Sequence, residues 1–155
     1  MFKIVLYEPE IPPNTGNIIR LCSNIGAELH LIKPLGFDLD DKKLRRAGLD
    51  YNEWVNVAQH ESYSEFIKTV KPKRVFACST HGKTLYTNAK FENDDVFLMG
   101  PETRGLPKSL RLSLPEEHVI KLPMLPENRS LNLSNATSII VYEAWRQNNF
   151  FGAAT

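Results

Sequence analysis

The chain has 155 residues, 42% hydrophobic and 24% charged, which describes a soluble globular protein and gives no sign of disorder. A domain of this size buries roughly 70% of its unfolded surface, so it needs no metal or disulfide staple. The formal net charge of +1 excludes a globally basic nucleic-acid binder but not a local basic patch.

Cys22 and Cys78 are far apart and form no C-x-x-C pair, which points to a reducing, cytoplasmic compartment and away from a thiol-ligated metal. The N-terminal apolar run meets Glu8 and Glu10 too soon for a signal peptide. No segment approaches the length of a membrane span. Phe2 to Tyr7 reads as a buried strand stopped by Glu-Pro-Glu-Ile-Pro-Pro. Asn14 can then cap a helix whose stripe is Ile18, Leu21, Cys22 and Ile25, ending at Gly26. Arg20 falls on the opposite face, near Asn17 and Ser23.

Glu28 to Ile32 reads as a second strand, and Asp40 or Asp41 can cap a short helix through Arg46. Arg74 to Ser79, Asp95 to Met99 and His118 to Leu122 are further strands, each followed by a loop rich in Gly, Pro or polar residues. A last helix runs from about Asn132 to Asn148, and the tail after Phe150 is expected to be loose. Strands alternating with helices imply an α/β domain over 1–155, its mostly parallel sheet covered by helices on both faces.

Several common sites are missing from the pattern. The eight glycines show no G-x-G spacing, there is no H-E-x-x-H, and His30, His60, His81 and His118 are scattered singly. Ligands of open parallel sheets bind beyond the carboxyl ends of strands. Three loops have that placement: the one after Ser79, Gly100 to Pro107, and Leu122 to Asn135. The third ends in Ser130-Leu131-Asn132-Leu133-Ser134-Asn135, more capping side chains than one helix start uses. That run is either an over-capped helix start or a loop that holds a polar ligand.

Asn14-Thr15-Gly16-Asn17-Ile18-Ile19-Arg20, Gly100-Pro101-Glu102-Thr103-Arg104-Gly105 and Ser130 to Asn135 resemble, in order and spacing, the three motifs of the SPOUT-class (SpoU/TrmH-like) RNA 2'-O-ribose methyltransferases. The resemblance covers nearly the whole chain and is nearest to the small tRNA-directed branch. It implies a C-terminal trefoil knot, a fold that ordinary topology rules would not offer. It also implies S-adenosylmethionine as cofactor, tRNA as substrate, and a homodimer whose active sites draw on both subunits.

By the same resemblance the cofactor is cradled by Cys78, Gly100, Leu122, Met124, Ser130, Leu131 and Asn135. Arg20 would stand by the acceptor ribose, as an electrostatic clamp or as general base. Asn14 would orient Arg20 or the ribose. Glu102 would fix the second loop or help position Arg20, and Ser130 and Asn132 would complete the catalytic set. For RNA contact the candidates are Arg20, Lys42, Lys43, Arg45, Arg46 and Tyr142; the four-residue basic cluster reads equally as a solvated face. No metal and no membrane partner is expected, and the RNA surface would come from the core fold, without an appended RNA-binding domain. The leading expectation is 2'-O-methylation of the tRNA wobble nucleotide, a cytidine or modified uridine, in leucine tRNAs. The alternatives are a noncatalytic RNA-binding or cofactor-sensing protein on the same scaffold, and a ribosomal RNA 2'-O-methyltransferase.

Overall fold

Ile4, Val5 and Leu6 are apolar at successive positions, the pattern of a strand covered on both faces, and all three are buried. They belong to β1 (Lys3–Tyr7) in the computed structural model, which describes residues 1–39, Glu53 and 56–154. After β1 come α1 (Pro12–Ile25), β2 (Glu28–Ile32), β3 (Val57–His60), α2 (Tyr63–Val70), β4 (Val75–Cys78) and β5 (Thr84–Leu85). The chain continues with β6 (Val96–Met99), α3 (Lys108–Leu112), β7 (Val119–Lys121) and α4 (Leu133–Gln147). The sheet order is β3-β2-β1-β6-β4-β7-β5, and the pairings among the described residues are all parallel.

The pleat of β1 divides the core. Ile4 and Leu6 point to a layer with Ile18, Ile19, Leu29, Phe97, Ile140 and Val141, which α1 and α4 cover. Val5 points the other way, to Ile32, Phe66, Val75, Ala77, Val96 and Leu98, a layer that includes Phe66 of α2. The fold is therefore the α/β sheet with helices on both faces that the alternating pattern predicts.

Both ends of α1 follow from its sequence, though one differs from expectation. Asn14 does not cap the helix. Pro12 and Pro13 occupy its first positions, where a missing N–H costs nothing, and Ile11 stands at the cap with no side-chain bond. At the other end Gly26 adopts the left-handed conformation, φ 72°, and its N–H bonds the carbonyl of Cys22, as a C-terminal glycine does. In α4 the stripe Leu133, Ala136, Ile140 and Ala144 is buried.

The start of the expected loose tail is tied back to α4 at Phe150 and Phe151. Phe150 N–H bonds the Trp145 carbonyl, Trp145 Nε1 donates to the Phe151 carbonyl at 2.9 Å, and the Trp145 and Phe150 rings meet edge to face. His30 and His60, distant in sequence, are also brought together: β2 and β3 pair in parallel and set Nδ1 of one ring 2.9 Å from Nε2 of the other. The helix expected at 40–46 lies outside the described residues.

Candidate active site

Parallel pairing puts the carboxyl ends of β1, β6, β4 and β7 at one edge of the sheet. The loops that leave them surround a cavity of about 470 Å³, within the range of ordinary small-molecule sites. Its walls include Cys78, Gly100, Glu102, Leu122, Met124, Ser130, Leu131 and Asn132, together with Asn14 from the first turn of α1. Residues from all three sequence motifs therefore face one space.

A chain of hydrogen bonds joins them. The Asn132 carbonyl oxygen Oδ1 accepts from the N–H of Ser134 at 2.9 Å, the N–H of Asn135 at 3.3 Å and the Ser134 hydroxyl at 2.6 Å, so it caps α4. Its amide nitrogen must then point away, and it donates to Asn14 Oδ1 at 3.0 Å. Asn14 in turn donates through Nδ2 to Glu102 Oε2 at 3.3 Å. The direction is forced at both ends, by backbone donors at one and a carboxylate at the other. Asn14 itself is only 6% exposed, and both of its bonds are part-buried at the cavity wall.

Glu102 has further work at the start of α1. Its two oxygens accept the N–H of Glu10 at 2.9 Å and of Ile11 at 2.7 Å. These donors precede a helix with no side-chain cap of its own, and a carboxylate at a helix N-terminus also meets the favourable end of the macrodipole. In the opposite direction, the Glu10 carboxylate accepts the Thr103 N–H and hydroxyl, both at 2.8 Å. Those bonds hold the Glu10 carboxyl below its ordinary range, Arg104 adding a smaller effect. Arg104 also reaches Glu8 at 3.4 Å.

Gly100 shows why the second motif needs glycine. A Cβ there would lie 2.5 Å from Leu106 N and 2.7 Å from the Gly105 carbonyl carbon, so the loop folds back onto the strand end it leaves. Burial pushes the Cys78 thiol up to about 12, so it faces the cavity protonated and unreactive.

Other expected residues sit elsewhere. Arg20 is six residues along α1 from Asn14, about 9 Å by helix rise and on another face. It is not in the cavity wall; its Nε and Nη2 pair with the Glu53 carboxylate at 3.2 and 3.4 Å. Asn135 donates its backbone N–H to Asn132 but does not line the cavity. Tyr142 is on the outer side of α4, 44% exposed, with its ring against Trp145. Lys42, Lys43, Arg45 and Arg46 lie outside the described residues. The wall also contains Ile11, Thr80, His81, Met99 and Leu106. Thr80 and His81 stand in the loop after Ser79 and Leu106 in the loop from Gly100 to Pro107, both placed at the strand ends by the sequence, but no motif assigns these side chains to the wall. Among the described residues no group of three or more His, Cys, Asp or Glu could hold a metal ion, and no helix is long and apolar enough to cross a membrane.

A parallel α/β sheet with its cavity built from three polar loops at the strand ends defines the class. The chain belongs to the SpoU rRNA methylase family, which it matches over residues 1–142. It is 56% identical over 153 residues to a tRNA (cytidine(34)-2'-O)-methyltransferase of Methylovorus glucosotrophus, covering 99% of both chains. It is 55% identical to the Escherichia coli K12 protein of the same name, covering 99% of this chain and 98% of that one. Among solved structures, one concerned with 2-OH methylation of C/U34 on tRNA superposes with a TM-score of 0.89 at 43% identity, covering 97% of each chain. The SpoU methyltransferase AviRb of Streptomyces viridochromogenes, in complex with the cofactor AdoMet, gives 0.82 at 26% identity, covering 96% of this chain and 60% of that one.

Proposed function

We propose that this protein transfers a methyl group from S-adenosylmethionine to the ribose 2'-hydroxyl of the tRNA wobble nucleotide, a cytidine or modified uridine, in leucine tRNAs. The observation that carries the reading is the hydrogen-bonded line Glu102–Asn14–Asn132, which joins the three motif loops around one cavity. The two relatives named for methylation at cytidine 34, matched along nearly their whole length, supply the position.

The cavity fits the cofactor chemically. Met99, Leu106, Leu122 and Leu133 offer apolar wall, and Ser79, Thr80, Ser130 and Asn132 offer polar groups, the mixture a flat base joined to a charged amino acid requires. A thiolate beside a sulfonium would be alkylated; the protonated Cys78 thiol is not such a competitor. In this reading Cys78, Gly100, Leu122, Met124, Ser130 and Leu131 hold S-adenosylmethionine, Asn135 supports the wall only through its backbone bond to Asn132, and the C-terminal trefoil knot gathers their loops. When bound, that cofactor supplies an activated methyl group on sulfur.

The chain's own residues then set position and field. Asn14 and Asn132 fix the first and third loops relative to each other. Glu102 has its oxygens committed to two backbone N–H groups and to Asn14, which makes it a scaffold for the site and not its base. Arg20 carries a permanent positive charge in a planar fork. A guanidinium has donors and no acceptor, so it suits stabilisation of a developing alkoxide and of the adjoining phosphate, not proton abstraction.

Because Arg20 does not line its own chain's cavity, the reading includes a homodimer in which it completes the partner's site. Ile139, Tyr142, Phe150 and Phe151 form an exposed apolar surface on α4 and the tail suited to that contact. The RNA surface in this reading includes Lys42, Lys43, Arg45 and Arg46 as phosphate contacts, and the protein works in the cytoplasm with its tRNA. The test is transfer of labelled methyl to purified tRNA and, separately, to ribosomal RNA from cells lacking the protein. Label in tRNA is expected. Label confined to ribosomal RNA would change the substrate, and label in neither would leave a binding protein.

A further inference from the structure

We propose that Glu10, outside the residues that hold or methylate a ligand, is the positioning residue of the cofactor loop. This inference rests on the cofactor assignment made above. Glu10 and Glu102 exchange carboxylates between neighbouring loops. Glu102, on the loop after β6, accepts the backbone N–H groups of Glu10 and Ile11, on the loop after β1. Glu10 returns the arrangement by accepting the Thr103 N–H at 2.8 Å and the Thr103 hydroxyl at 2.8 and 3.0 Å. β1 and β6 are adjacent and parallel, with Leu6 opposite Met99, so both loops leave the sheet side by side.

The two halves of this exchange do different things. Glu102 secures the entry to α1 and, through Asn14, the third loop. Glu10 secures Thr103, in the middle of the Gly100 to Leu106 stretch that forms one wall of the cavity. Within that stretch the Gly105 N–H to Pro101 carbonyl bond, 3.0 Å, closes the turn on itself. Charge-assisted bonds from a carboxylate are shorter and stronger than neutral ones, and the lowered Glu10 pKa agrees with that. Glu10 therefore presets a wall that would otherwise have to be ordered when a ligand enters, and the cost of ordering appears as lost affinity.

The experiment is calorimetry of S-adenosylmethionine binding to the full chain, with thermal unfolding measured beside it. Glu10→Ala is expected to raise the cofactor Kd by about tenfold, the scale of one charge-assisted hydrogen bond. At saturating cofactor its single-turnover methylation rate should return to within about threefold of the wild-type rate. Glu10→Gln keeps an acceptor oxygen for Thr103 and should bind within about threefold of wild type. A change in fold stability alone would give neither the affinity-against-rate split nor rescue by glutamine. Wild-type affinity in Glu10→Ala, or a glutamine variant as weak as the alanine one, overturns the proposal. If Glu10→Ala does not fold, Thr103→Val decides: about threefold weaker binding supports the contact and an unchanged Kd refutes it. If the wild-type protein binds S-adenosylmethionine but methylates no RNA, the substrate reading fails while the affinity comparison still decides Glu10. If it does not bind that cofactor at all, the functional reading itself has failed. Hydrogen exchange at the Thr103 amide then decides the loop contact: faster exchange in Glu10→Ala supports it and an unchanged rate overturns it.

Discussion

Asn132 carries two separable duties, and substituting it resolves them. Asn132→Ala removes the cap of α4, about 1 kcal/mol, and leaves Asn14 Oδ1 without its donor at a buried position, about 1 to 3 kcal/mol more. The sum, roughly 2 to 4 kcal/mol, is a large part of the 5 to 15 kcal/mol typical of a domain. With a urea slope near 2 kcal/mol/M, the midpoint should fall by roughly 1 to 2 M. Asn132→Asp keeps the acceptor for Ser134 and Asn135 and adds a negative charge at a helix N-terminus, favourable by about 0.3 to 1 kcal/mol. It has no donor for Asn14. If the Asn14 amide turns to serve the new carboxylate, its oxygen meets Glu102 instead, so one contact is repulsive in either orientation. The aspartate variant should therefore unfold at higher urea than the alanine variant while losing cofactor affinity and turnover as the alanine variant does. Urea titration followed by calorimetry on both proteins checks this. An aspartate variant with wild-type binding and turnover would refute the claim that the line through Asn14 sets the site.

Gly100→Ala should weaken cofactor binding at least about tenfold and cost about 1 to 3 kcal/mol by denaturation, because the new Cβ meets loop backbone and not a yielding side chain; unchanged calorimetry would count against it. Arg20→Ala should lower the saturated single-turnover rate by about 10² to 10³, as for loss of an oxyanion donor, with cofactor affinity retained and little rescue by Arg20→Lys. An unchanged saturated rate with a flatter salt dependence of tRNA binding would make Arg20 a phosphate contact only. The His30–His60 pair predicts a pH dependence. Burial lowers both pKa values, Glu28 partly opposes the shift at His30, and the His30 charge adds to it at His60. Their neutral forms therefore stabilise the fold fully above about pH 6.5. That stability is lost as pH falls below 6.5 toward the folded values, by at most about 1.4 kcal/mol per pH unit for each proton taken up. Melting temperature measured from pH 7 to pH 5 should fall in the wild type and change less in His60→Gln; a flat wild-type profile would contradict the pairing.

Much of this was legible in the sequence because it is local. Successive apolar residues in Phe2 to Tyr7 and Asp95 to Met99 mark central strands, and the stripe from Ile18 to Ile25 with Gly26 marks α1. The short elements carry less signal. β3 is four residues of mixed polarity, and α2 is eight residues long. For α2 a signal was present: Ser62 and Glu65 have capping-box spacing, and the Glu65 N–H does bond the Ser62 hydroxyl at 3.1 Å. An asparagine before an apolar stripe usually caps a helix, and Asn14 does not. Here two prolines start the helix, and a carboxylate 88 residues away binds the Asn14 amide. The motifs were found by resemblance to a family, but no spacing rule could say that Glu10 and Glu102 exchange contacts or that His30 meets His60. Both depend on which strands become neighbours, and that is decided across the whole sheet.

The most direct test of the function is the position and atom that receive the methyl group. Leucine tRNA from cells lacking the protein would be incubated with it and labelled S-adenosylmethionine, digested, and its nucleosides mapped by mass spectrometry. One methyl on the 2'-oxygen of nucleotide 34, absent without the protein and greatly reduced with Arg20→Ala, is the predicted result. A methyl on a base, or on a ribose elsewhere in the tRNA, would contradict the account.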